Sequence, residues 1–211
     1  MSFNIPQTRL YQFLREKRRR LVFVQTKYFC DFSFIHINKT GGSSIEGALK
    51  APLIHETALT FRDRIGTERW DKRFSFAIVR NPWDRAVSQF HYRRMTNQTG
   101  LSDTSLLFND WIRNVFLTRS PQFMNEEIMF LPQIEWVSDE EGNIMVDYIG
   151  KFENLQQSWD DISERLNRQP SRLPHKKKSS RGDYQSYYDE ESKDIVGDFF
   201  KRDIEAFGYS F

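Results

Sequence analysis

The chain has 211 residues, with 31 Lys and Arg against 29 Asp and Glu and a net charge of +2. That length suffices for one sizeable domain that folds without disulfides or metals, and the near balance of charge excludes a protein that coats nucleic acid with its whole surface. Aromatic residues reach 15%, led by 19 Phe, which excludes a disordered chain, and the single cysteine, Cys30, excludes an intramolecular disulfide framework and a cysteine-based zinc site. The first 30 residues lack the apolar stretch of a signal peptide, and nowhere do 18 apolar residues run together. We therefore expect no membrane span and a cytoplasmic location.

Residues 7–20, with the run Arg15, Glu16, Lys17, Arg18, Arg19 and Arg20, predict a short basic helix. Its ordinary role is a solvated charged face; the alternative is contact with an acidic partner or a membrane surface. We take residues 1–31 as a basic N-terminal helical extension and 32–211 as one α/β domain. Residues 32–37 are β-branched and aromatic and predict a strand. Asn38 to Gly42 is a turn, and 43–49 opens a helix with Ser and Glu near its start. Residues 74–79 predict a second strand, ended by Asn81 and Pro82, and 83–94 the following helix. Later segments predict helices over 106–116, 155–166 and 190–207, a third strand over 146–152 and a loop over 169–183. Strand–helix alternation implies a single domain with a central, mainly parallel sheet flanked by helices.

Lys39, Thr40, Gly41, Gly42, Ser43 and Ser44 follow a strand and begin a helix. Glycines let the backbone turn sharply and bring N–H groups to an anion, and the helix start adds free donors and the positive end of its dipole. Lys39 adds a mobile charge and the hydroxyls add donors. This is a P-loop-like turn without Walker A order, because the lysine precedes the glycines. An ordinary strand-to-helix turn with a surface lysine reads equally well. Arg80 closes the second strand, on the sheet edge where parallel sheets gather ligands. Its fork suits phosphate, and Ser88, two helical turns on, can face the same rim. The other reading of Arg80 is an ion pair with Asp84 at the helix start.

Together these segments resemble the sulfotransferase family. Residues 34–45 (FIHINKTGGSSI), 55–58 (HETA) and 76–90 (FAIVRNPWDRAVSQF) carry the resemblance. So do 133–136 (QIEW), 147–155 (DYIGKFENL) and 203–209 (DIEAFGY). They look most like the branch of carbohydrate sulfotransferases and their bacterial relatives, over residues 32–211. The resemblance implies transfer of a sulfuryl group from 3′-phosphoadenosine 5′-phosphosulfate (PAPS) to an acceptor hydroxyl, with a carbohydrate leading and no metal required. Lys39 and Thr40 to Ser44 would hold the 5′-phosphosulfate, Arg80 and Ser88 the 3′-phosphate, and a basic loop near Arg181 would close over the nucleotide. One departure is Asn38, where family members usually carry proline; the expected effect is a small change in turn stiffness.

Such a transfer needs in-line positioning and charge stabilisation, and the acceptor hydroxyl needs a base. Lys39 can neutralise charge on the leaving group. His55, in the loop before Thr57, is the expected base, as a histidine at this place is in the resembling branch. Glu56 is a weaker candidate, and His36 and His91 are expected to be structural. The competing readings are a small-molecule kinase on a related fold, which would depend on Mg²⁺, and a non-catalytic binder of anionic glycans. Neither the acceptor nor the oligomeric state is legible in the residues.

Overall fold

The computed structural model of the chain describes residues 9–51, 54–169, 171–173 and 182–211. Helix α1 (Arg9–Tyr28) leads into strand β1 (Phe32–Ile35); β2 is Phe74–Val79 and β3 is Tyr148–Lys151. The three strands are parallel in the order β1-β2-β3, with Phe34 opposite Phe76 and Phe76 opposite Tyr148. Helices α2 (Gly42–Leu49), α3 (Ala58–Ile65) and α4 (Thr67–Asp71) connect β1 to β2. Helices α5 (Pro82–Met95), α6 (Phe108–Ile112) and α7 (Gln133–Val137) connect β2 to β3. Helices α8 (Leu155–Arg165), α9 (Glu190–Phe199) and α10 (Lys201–Phe207) complete the chain. This is the α/β arrangement expected from the alternation of elements.

Every residue of β2 after Phe74 is buried, so the sheet is covered on both faces, as a parallel sheet must be. The two-residue period sorts its side chains. Phe76 and Ile78 join Phe34, Ile45, Trp159 and Ile162 on one side, while Ala77 and Val79 join Ile35, Phe61, Trp70 and Trp136 on the other. A third cluster, with Trp83, Phe90, Trp111, Phe116 and Phe200, packs α5 against α6 and α9. Helix α8 lies close on β3: a Cβ on Gly150 would come within 2.7 Å of Ile78 and Ser158.

Some boundaries differ from the expected ones. The basic helix runs on to Tyr28 because Arg73 caps its last turn, donating to the carbonyls of Thr26 and Lys27 at 2.9 and 2.8 Å. The helix expected over 106–116 is a single α turn from Phe108 continued by a π-helical turn, Arg113–Leu117. The one expected over 190–207 breaks at Phe200 into α9 and α10, where Phe200 and Asp203 both turn into the interior. Among the described residues, no helix is long and apolar enough to cross a membrane.

Candidate active site

The turn after β1 is held in a conformation few residues adopt. Lys39 and Gly41 both have positive φ, 66° and 83°. Gly41 rests on the Phe152 ring and Leu155, where a Cβ would press to about 3 Å. Gly42 has a stricter reason to be glycine: its Cβ would fall onto the His36 imidazole. The Thr40 hydroxyl does not face outward as a donor; it turns in and donates to the Ile37 carbonyl at 2.9 Å. Ser43 is exposed and Ser44 is buried. No side chain caps the start of α2, where Gly41 stands at the N-cap. The Lys39 ammonium lies 4.0 Å above the Tyr92 ring.

At the end of β2, Arg80 adopts the ion pair with Asp84: Nε and Nη2 reach its carboxylate at 2.7 and 2.6 Å. Nη1 donates to the Lys39 carbonyl at 2.9 Å, and the guanidinium lies 4.0 Å above the Phe152 ring. Arg80 therefore ties the ends of all three strands together. Gln133 holds its backbone from behind, accepting from the Arg80 N–H at 2.9 Å and donating to its carbonyl at 2.7 Å. Asp203, buried in α10, in turn accepts from the backbone N–H groups of Gln133 and Ile134. Burial raises the Asp203 carboxyl above the ordinary range. Asn81 caps α5 through its side-chain oxygen and donates to the Ser210 carbonyl at 2.8 Å. Ser88 is half-buried on α5.

Arg85 is fully buried on α5, and burial lowers its pKa to about 10. It donates to the Asn38 side-chain oxygen at 2.6 Å and to the carbonyls of Asn38, Leu131 and Met129. A buried guanidinium needs such acceptors on every side. Asn38, Arg85, Gln133 and Asp203 thus frame the site; of these the sequence reading singles out Asn38 alone, and only for the stiffness of the turn. All four stand within the segments that carry the family resemblance.

His55 leaves the loop between α2 and α3, ahead of Thr57, which caps α3 by accepting from the Thr60 N–H at 3.2 Å. Its Nδ1 donates to the His36 carbonyl at 2.9 Å. That bond assigns the tautomer: Nδ1 carries the proton and Nε2 is a lone pair. The His55 ring lies 4.5 Å from the His36 ring and edge-on to Trp136. Burial, and then the neighbouring His36, push its pKa down to about 4. His36 is buried with its Nδ1 donating to the Glu46 carboxylate at 2.9 Å. His36 therefore connects the turn at Gly42 to His55. Glu56 is committed to Arg64 at 2.7 Å, and His91 packs edge-on to Tyr187. Arg181 lies outside the described residues. No group of three or more His, Cys, Asp or Glu among the described residues is placed to hold a metal ion.

The fold and this cluster define a parallel α/β protein that gathers lysine, arginine and histidine at the carboxyl ends of its strands. The chain belongs to the sulfotransferase family, whose model matches residues 21–210. Membership supports sulfuryl transfer as the general activity. An uncharacterized protein of Archaeoglobus fulgidus is 24% identical over 110 residues, 52% of this chain and 80% of its own length. No solved structure gives a significant match.

Proposed function

We propose that the protein transfers a sulfuryl group from PAPS to an acceptor hydroxyl, that of a carbohydrate by its resemblance to that branch, with His55 as general base. The observation that carries this reading is the His55 tautomer. A ring held at Nδ1 by a backbone carbonyl presents Nε2 as an acceptor; burial keeps that lone pair unprotonated at neutral pH and at the same time lowers its basicity.

The donor set fits the nucleotide. The 5′-phosphosulfate is held by Lys39, Ser43, Ser44 and the N–H groups at Gly42 and Ser43, where no side chain caps the helix. Thr40 and Gly41 shape that turn. When bound, PAPS supplies a sulfuryl group on a phosphate leaving group. Lys39 holds positive charge against the phosphate, and His55 takes the acceptor proton at Nε2. Arg80 and Ser88 serve the 3′-phosphate, and by the resemblance Arg181 adds a further positive charge to the nucleotide site. For Arg80 this requires the incoming phosphate to exchange with Asp84, which now occupies its Nε and Nη2.

That exchange is the test. Calorimetric titration with 3′-phosphoadenosine 5′-phosphate, without magnesium, is expected to give tight binding that collapses in Arg80→Ala and strengthens several-fold in Asp84→Asn, which removes the competitor. His55→Ala is expected to bind the bisphosphate like the wild type and to lose turnover. Absence of binding, or binding of ATP only with magnesium, would return the site to the kinase or glycan-binding readings.

A further inference from the structure

We propose that α1 lies on an anionic lipid surface and docks the protein there. Five apolar side chains of this helix, Phe13, Leu14, Leu21, Val24 and Tyr28, are between 43% and 71% exposed. At 100° per residue they fall within an arc of about 100°, one apolar stripe along the helix. The stripe is not waiting for the body of the protein, which already holds the opposite side. There Thr26 is buried, its hydroxyl accepts from Arg64 at 3.0 Å, and the Arg64 guanidinium lies over the Phe23 ring.

Charge identifies what covers the stripe. Helix α1 contains seven Arg and Lys against one Glu, a net +6. The whole chain is +2, so the remainder is −4. The positive charge is concentrated on a helix that also exposes an apolar stripe. A second copy of this helix would match the stripe but repel the charge, and nucleic acid would match the charge but leave the stripe wet. An anionic bilayer surface satisfies both. Lys17 falls within the stripe with its ammonium 4.6 Å above the Phe13 ring, a stem laid along apolar surface with its charge at the end. The helix is not apolar enough to cross the membrane and lies in its plane. Arg73, which precedes β2, clamps the last turn of α1, so the helix is fixed to the edge of the sheet at the amino ends of its strands. Lys39 and Arg80 stand at the opposite edge, after the carboxyl ends of β1 and β2.

The full chain is tested by co-sedimentation with vesicles of phosphatidylcholine mixed with phosphatidylserine, beside vesicles of phosphatidylcholine alone. Binding is expected to be at least about tenfold stronger on the anionic vesicles and to weaken as salt is raised. Leu21→Asp with Val24→Asp is expected to lower it about tenfold. Both side chains are exposed, so the thermal melt should be unchanged. Equal binding to both vesicles, or wild-type binding by the double variant, overturns the proposal. So does a dimer in solution that the double variant dissociates without any binding to vesicles.

Discussion

Asn38 stands where the resembling sequences carry proline, and the structure shows what it does there. Its side-chain oxygen accepts from the buried Arg85 at 2.6 Å. A proline would leave one donor of a buried guanidinium without its acceptor, so Asn38→Pro is expected to cost about 1–3 kcal/mol. At about 2–4 °C per kcal/mol for a chain of this size, a thermal melt reads this directly. The expectation of a mere change in turn stiffness concerned the backbone, and Arg85 was out of its sight. His55 gives the second prediction at this scale. Its pKa is lowered from 6.5 to about 4, so as the free-enzyme base it stays unprotonated well below pH 6. We expect kcat/KM to hold level from pH 8 to about 5 where this group controls it. A fall centred near 6.5 would mean that an ordinary imidazole is at work. The same shift makes stability pH-dependent. The unfolded chain binds the proton first, so the contribution of His55 is full above pH 6.5 and declines as pH falls from there towards 4.

The turn between β1 and α2 is the element on which the site depends. Its existence was legible: an apolar strand, a Lys-Thr-Gly-Gly turn, then a helix start. The reason for its second glycine was not. Gly42 leaves room for the His36 ring, which Glu46 holds from α2. His36 was read as a strand residue with a structural part, which matches its burial, but its carbonyl is also what orients His55. Gly42→Ala is therefore expected to displace His36, break its bond to Glu46 and disturb His55 together. The imidazole NMR signals of both histidines should shift, and thermal stability should fall by about 1–3 kcal/mol. A variant whose His55 signals match the wild type would separate the turn from the base. Arg80 shows a limit of the same kind. Its place at the end of β2 was legible, whereas its choice of Asp84 over an open rim depended on a helix geometry that two sequence readings fitted equally.

Across the molecule, the C-terminus is wired to the site. The Ser210 carbonyl accepts from Asn81 at 2.8 Å, and the Tyr209 hydroxyl donates to Glu153 at 3.1 Å. Glu153 in turn accepts from the Asn81 backbone N–H at 2.7 Å. Phe211 packs edge-on against Trp83, Tyr184 and Tyr188. Removing residues 209–211 is expected to cost about 2 kcal/mol or more from lost apolar burial and hydrogen bonds. It should also weaken bisphosphate binding, because Asn81, the residue after Arg80, loses its bond to the Ser210 carbonyl. A truncated protein that melts early yet binds as tightly as the wild type would show the tail to be structural alone.

The order of strands and helices, the parallel sheet and the glycine turn were determined by the sequence itself. They rest on local propensity and on periods of two and about four residues, which act between near neighbours in the chain. The tertiary structure alone decided which polar groups meet. Asn38 and Arg85 are 47 residues apart, Arg80 and Gln133 53, and Gln133 and Asp203 70. Such pairs are selected by the demand that every buried charge and amide find a partner, and that demand exists only once the core has closed.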